Sequence, residues 1–173
     1  MLNFYTVKMK YVRNLMNIDH KNVMSVSSQH KKNRRIFVGI IVMVDQHKYC
    51  IPLSSVENKM KYKNMSNNIT FRKIINKDGQ VIGALNINNM IPVREEYLVP
   101  FDMEIYASDD EKQQAYKKHC MEELIWCREH EDEISMLARE LHRLVCSGEH
   151  FKKRSICSDY RLLEKECDKD KRL

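Results

Sequence analysis

Within the first hundred positions apolar residues fall mainly in short strand-like runs, and after Pro100 they recur at a spacing of three or four. Residues 2–9 alternate as a strand would, and residues 10–17, with Tyr11, Leu15 and Met16 on one side, predict a short helix. Residues 18–35 are polar and read as loop. Residues 36–44 are β-branched and almost wholly apolar, the pattern of a strand covered on both faces, and Asp45-Gln46-His47 turns it back into 48–53 as a hairpin. A long polar connection, 54–68, follows; loops of that length in a compact domain tend to carry function. Residues 69–75 and 80–88 predict two more strands, joined by Asn76-Lys77-Asp78-Gly79, in which Asp-Gly supplies a turn with positive φ. Met90 to Val93 is a short edge strand, because Pro92 cannot donate to a ladder.

After Pro100 the period lengthens. Ser108 with Glu111 three residues on has the form of a capping box, opening a helix that runs to about Glu129 with Met121, Leu124 and either Cys120 or Cys127 inward. Ile134, Leu137, Ala138, Leu141 and Val145 form one stripe of a second helix that stops at Gly148. Residues 159–168 offer Leu162, Leu163 and Cys167 to a last short helix. Strands gathered first and helices second predict an α+β fold: a single domain over 1–173, with a basic, mainly β core at 1–101 and a helical extension at 102–173. The expected architecture is a twisted antiparallel sheet or partial barrel with helices packed on it.

Charge divides along the same line. Residues 1–101 hold 16 Lys+Arg against 6 Asp+Glu, and the remainder holds 14 against 18, so a front of +10 precedes a back of −4. A basic face of this kind suits a polyanion, with nucleic acid ahead of a membrane because no basic amphipathic helix carries bulky apolar anchors. The first residues lack the pattern of a secretory signal and no apolar run is long enough to span a bilayer, so a cytoplasmic location is expected. Six cysteines at irregular spacing imply no disulfide framework. His119, Cys120, Cys127 and His130 do not form the close-spaced pairs of a zinc site, so no metal and no cofactor is expected.

The cations fall in three groups: Lys8, Lys10 and Arg13; Lys31, Lys32, Arg34 and Arg35; and Lys59, Lys61 and Lys63. Tyr5, Tyr11, Tyr49 and Tyr62 are interleaved with them. Cations for the backbone and aromatic rings for unstacked bases fit single-stranded RNA. The same residues also read as solvated loop charges and packed tyrosines, and the Ser54-Ser55 hydroxyls as local backbone caps. Gly-rich phosphate loops, nucleophile elbows and zinc-protease helices are absent from the sequence, and no carboxylate pair in the basic half suits magnesium.

Five blocks carry a resemblance: Phe4-Tyr5-Thr6; Lys10-Tyr11; Phe37-Val38-Gly39; His47-Lys48-Tyr49-x-x-Pro52-Leu53-Ser54-Ser55; and Ile87-Asn88-x-Met90-Ile91-Pro92. Their order resembles that of the ToxN/AbiQ family, the protein toxins of type III toxin-antitoxin systems, and especially its CptN-like members. The resemblance implies a core similar to the MazF/Kid-type toxins and a metal-independent endoribonuclease. Such an enzyme attacks through the ribose 2′-hydroxyl, leaves 2′,3′-cyclic phosphate and 5′-hydroxyl ends, and cuts cellular or phage RNA. It also implies an antitoxin RNA of pseudoknotted repeats that the toxin trims and is blocked by, in a closed toxin-RNA assembly. Carried over by position, Ser54 and Ser55 would contact the scissile phosphate, Tyr11 would line the site, and Arg35 would hold RNA. Where relatives continue the hydroxyl pair with Pro-Lys, this chain has Val56-Glu57, so Lys59 is the expected replacement cation, with Lys61 second. A noncatalytic RNA-binding or regulatory protein using the same basic face is the alternative.

Overall fold

The computed structural model describes residues 2–23, 38–54 and 62–169. Its frame is the expected hairpin: β2 (Val38–Val44) turns through Asp45, which has φ of 52°, into β3 (His47–Ser54). The part of the expected strand at Ile36 and Phe37 lies outside the described residues. Val42 stands opposite Tyr49 and Ile40 opposite Ile51, so period-two alternation sends the odd residues of β3 to one face and Cys50, Pro52 and Ser54 to the other.

Around this hairpin β1 (Phe4–Val7) and β7 (Leu98–Pro100) extend the sheet past β2, while β5 (Val81–Asn86) and β4 (Phe71–Ile75) extend it past β3, giving the order β4-β5-β3-β2-β1-β7. Every pairing is antiparallel, and among the described residues none joins β4 to β7. The second edge of β3 is shared. Its first half, Lys48 to Cys50, pairs with β6 (Ile91–Val93), and its last two residues, Leu53 and Ser54, pair with β5. Pro52 falls in the gap between these partners, where a missing N–H costs least. Gly39 sits opposite Pro52, and a Cβ there would collide with the Ile51 carbonyl and with Cys50 Sγ.

Helices cover both faces. α2 (Glu111–Glu129) and α3 (Glu131–Cys146) lay Cys120, Leu124, Cys127, Ile134, Ala138, Leu141 and Val145 on Ile40, Tyr49, Ile51 and Leu85. α1 (Met9–Ile18) and α4 (Tyr160–Lys169) bring Tyr11, Val12, Leu15, Leu163 and Cys167 against Cys50, Ile91 and Val93. The structure amends the sequence reading in five places. The first strand stops at Val7 and the fifth at Asn86, where a 3-10 turn (Ile87–Asn89) replaces the expected strand end. The capping box of α2 is Asp110 with Gln113, not Ser108 with Glu111: Asp110 accepts from the Gln113 N–H and Gln113 accepts from the Asp110 N–H, both at 2.8 Å. Leu162 is 42 % exposed because the stripe of α4 runs through Tyr160, Leu163 and Cys167, at spacings of three and four. β7 was not anticipated; three residues are too few to show alternation.

A polar knot ties β3 to α3 and α4. Tyr49 donates its hydroxyl to Glu164 Oε1 at 2.7 Å, His142 Nε2 meets the same oxygen at 2.8 Å, and His47 Nε2 lies 3.2 Å from Asp168 Oδ2. Burial alone would depress the His142 imidazolium, but its hydrogen bonds to Cys146 and Glu164 outweigh that and raise it to about 9. Burial works against the Glu164 carboxylate too, and the hydrogen bonds from His142 and Tyr49 nonetheless hold it below the usual carboxylate range. A raised imidazolium stabilises the fold fully below its unfolded value of about 6.5, and that contribution disappears as pH rises through the folded value. A depressed carboxyl contributes above its unfolded value, about 4.3, and loses that contribution as pH falls through its folded value.

The urea midpoint of the reduced protein should therefore fall from pH 6.5 to pH 9.5, and the fall should be shallower in His142→Gln; parallel curves would contradict the assignment. Gly39→Ala should lower stability by about 1–3 kcal/mol through overpacking, measured by the same denaturation.

Candidate functional site

Strand register brings one end of the sheet into focus. Thr6 at the end of β1 lies opposite Val38 at the start of β2, and Gly39 lies opposite Pro52, two residues before β3 ends. Lys8, the Val38 start and the Ser54 end therefore share one edge of the molecule. Lys8, Lys10 and Arg13 are exposed there, at and along the start of α1. Segment 24–37 joins the described chain at Val38, and segment 55–61 joins it at Ser54. The expected residues Lys31, Lys32, Arg34, Arg35, Ser55, Lys59 and Lys61 belong to those segments and lie outside the described residues.

Ser54 is the sequence-predicted hydroxyl that the structure does place. Its partner across the ladder is Ala84 on β5, and its side chain is almost buried, with 6 % exposure for the residue. Asn86, two residues beyond Ala84 and on the same face, donates from Nδ2 to Ser54 Oγ at 2.5 Å. A hydroxyl that accepts one hydrogen bond keeps its own proton to give. Ser54 Oγ is thereby oriented as a donor, which suits an anionic oxygen at the end of β3.

The neighbouring positions on this face are Phe71 and Lys73 of β4, opposite Asn86 and Ala84. Tyr62 packs its ring on Phe71 with centroids 5.4 Å apart, and Lys73 donates from Nζ to the Lys63 carbonyl at 2.9 Å. These contacts fasten the residues after the lysine-bearing loop back onto the sheet, with the Lys63 side chain exposed. Asn86 and Lys73 were not singled out in the sequence. Alternation along 69–75 and 80–88 could have placed them on one face, but their common face with Ser54 depends on the β3–β5 register, which is not local.

Tyr11 packs in the same cluster as Cys50, on the Ser54 side of β3, but it is 4 % exposed. Its hydroxyl donates to the Pro92 carbonyl at 2.8 Å, and its ring stacks on Tyr97 at 4.2 Å. This anchors the start of α1, and with it the exposed cations Lys8, Lys10 and Arg13. On the opposite face, Glu123 of α2 lies where a Cβ on Gly83 would point, with His119 Nε2 at 3.3 Å from its carboxylate. Burial raises the Glu123 carboxyl above its usual range, and His119 opposes that only in part.

The cysteines and histidines considered for zinc have other partners. Cys120 and Cys127 pack in the core, His119 faces Glu123, and His130 Nδ1 lies 2.8 Å from the Trp126 carbonyl. No helix among the described residues is long and apolar enough to cross a membrane.

A double-mutant cycle on Ser54→Ala and Asn86→Ala should return a coupling of about 0.5–1.5 kcal/mol in urea denaturation, the worth of one neutral hydrogen bond. Additive effects would mean that Asn86 does not orient the hydroxyl.

Residues 3–168 match the family described as toxin ToxN of the type III toxin-antitoxin system. One relative, an endoribonuclease ToxN of Pectobacterium atrosepticum, is 28% identical over 171 residues, covering 95% of this chain and 91% of its own. The fold is similar to that of AbiQ, a lactococcal anti-phage endoribonuclease of the type III toxin-antitoxin system, with a TM-score of 0.81 at 18% identity over 100% of this chain and 99% of the other. It is likewise similar to a bacterial type III toxin-antitoxin structure described with selective toxin inhibition by a non-coding RNA pseudoknot, with a TM-score of 0.77 at 22% identity and 99% of both chains covered.

Proposed function

The chain belongs to the ToxN family of type III toxin-antitoxin toxins, and on that premise we propose that it is an endoribonuclease acting at the end of β3 marked by Ser54. The observation that carries the reading is convergence: the register of β1, β2 and β3 brings Lys8, Val38 and Ser54 to one edge, so all three basic groups of the sequence join the sheet there. The Pectobacterium atrosepticum relative and AbiQ are both endoribonucleases, the same class of activity.

In the reaction proposed, a ribose 2′-oxygen bonds to the adjacent phosphorus as the bond to the 5′-oxygen breaks. The 2′-hydroxyl proton leaves, a proton reaches the departing 5′-oxygen, and the products carry 2′,3′-cyclic phosphate and 5′-hydroxyl ends. This path needs no oxidant, co-substrate or metal ion. Ser54, with Asn86 holding its oxygen, donates to a non-bridging phosphate oxygen, where the added negative charge of the pentacoordinate state rewards a fixed donor. Ser55 and a lysine, Lys59 ahead of Lys61, act at the same phosphate, while Lys8, Lys10, Arg13, Lys31, Lys32, Arg34, Arg35 and Lys63 hold the strand. Tyr11 acts by positioning α1, given its buried hydroxyl. The natural inhibitor in this reading is a pseudoknotted repeat RNA that occupies the same edge in a toxin-RNA assembly within the cytoplasm, and the sheet is related to the MazF/Kid core.

Purified protein in chelator should cut RNA into fragments ending in cyclic phosphate, and Ser54→Ala should lower the rate about a hundredfold with little change in RNA affinity. RNA retention without fragments would instead identify a noncatalytic binder. Wild-type rates in Ser54→Ala and Lys59→Ala would remove these residues from the mechanism.

A further inference from the structure

A second basic site lies at the far end of β3. A cavity of about 600 Å³ opens between the β2–β3 turn, α3 and α4, lined by Asp45, Met136, Arg139, His142, Arg143 and Arg161 among others. Seven steps of extended chain separate His47, just past the turn, from Ser54, roughly 23 Å at about 3.3 Å per residue, so this cavity is remote from the proposed cleavage edge. Its volume falls in the range of small-molecule sites, about 300–1,000 Å³.

Arg139 and Arg143 lie one turn apart on α3, three and seven residues beyond Met136, and Arg161 of α4 lines the same cavity, with Arg139 and Arg161 both exposed. The carboxylates in the wall are already engaged. Glu140 holds Arg143 through two contacts at 3.0 and 2.9 Å, Glu164 takes hydrogen bonds from His142 and Tyr49, and Asp45 Oδ2 lies 3.7 Å from His142 Nδ1. By contrast, no hydrogen bond or ion pair joins the Arg139 or Arg161 side chain to another described residue. Two guanidiniums therefore present planar forks of donors to one cavity, with a cationic His142 at its back and the 58 % exposed Met136 at its rim.

We infer that this cavity binds the phosphate of a nucleotide, with Arg139 and Arg161 as the phosphate clamp and Met136 against the base or sugar. Paired guanidinium forks match phosphate oxygens bidentately, which an ammonium cannot do. Asp45, Glu140 and Glu164 keep the wall from being uniformly positive, which disfavours an extended polyanion lying along it and favours one or two phosphates. The nucleotide can come from a free mononucleotide or from the phosphorylated end of an RNA strand.

The test is a titration of the isotope-labelled full-length protein with AMP and with adenosine at matched ionic strength. AMP should shift the arginine side-chain signals and the amides around 136–147 and 161–164, adenosine should not, and Arg139→Gln with Arg161→Gln should weaken AMP at least tenfold. An uncleavable 2′-O-methyl oligonucleotide, with and without a 5′-phosphate, then separates the two sources. Displacement of AMP only by the phosphorylated strand assigns the site to RNA ends, and no displacement by either assigns it to free nucleotide. The inference fails if AMP and the phosphorylated strand both leave these signals unmoved, or if AMP binds the double variant as tightly. Unaltered RNA cleavage by that variant keeps this outcome separate from the fate of the proposed activity.

Discussion

Strand β3 is paired along both edges, and on one of them it exchanges partners across a gap of two residues, Ile51 and Pro52. Lys48 to Cys50 belong to β6, Leu53 and Ser54 belong to β5, and β2 runs beside nearly the whole length. The exchange requires a residue with no donor to offer, which is Pro52, and a neighbour with no Cβ to obstruct it, which is Gly39. A one-residue slip would send Ser54 to the face of Leu53 and Tyr49, under the helices. Everything proposed at the cleavage edge rests on that register.

The two ends of β3 have contrasting chemistry. At the start, the paired charges of His142 and Glu164, with His47 beside Glu164 and Asp168, form a knot that ties the strand to α3 and α4. At the end, Ser54 is held by one neutral amide, and the exposed cations Lys8, Lys10, Arg13 and Lys63 have no comparable acidic wall among the described residues. The first arrangement suits a rigid scaffold, and the second leaves positive charge available to a mobile polyanion. The −4 of residues 102–173 is thus consistent with a helical half that braces the sheet while the +10 of residues 1–101 supplies the binding edge.

Local chemistry was readable in the sequence where it was strong. The β-branched run into Val44, the Asp78-Gly79 turn with Gly79 at φ of 74°, and the stripe from Ile134 to Val145 each declare themselves within one element. The capping box went astray because Ser-x-x-Glu and Asp-x-x-Gln both satisfy the pattern two residues apart, and only the backbone geometry selects Asp110. The Ser54 hydroxyl was legible as a candidate, but the amide that aims it was not: Asn86 lies 32 residues away and meets it only through β3–β5 pairing. The His142–Glu164 knot and the Arg139–Arg161 cavity escaped for the same reason, since each joins separate helices.

The claim on which the account depends is that RNA occupies the edge where β1, β2 and β3 end. Site-resolved hydrogen exchange of the protein with and without an uncleavable 2′-O-methyl RNA that lacks a 5′-phosphate measures that directly. Protection should concentrate at residues 8–13, 53–54 and 62–63, with the exposed faces of α2 and α3 unchanged. Protection confined to those helices, with the Ser54 edge unaltered, would contradict it.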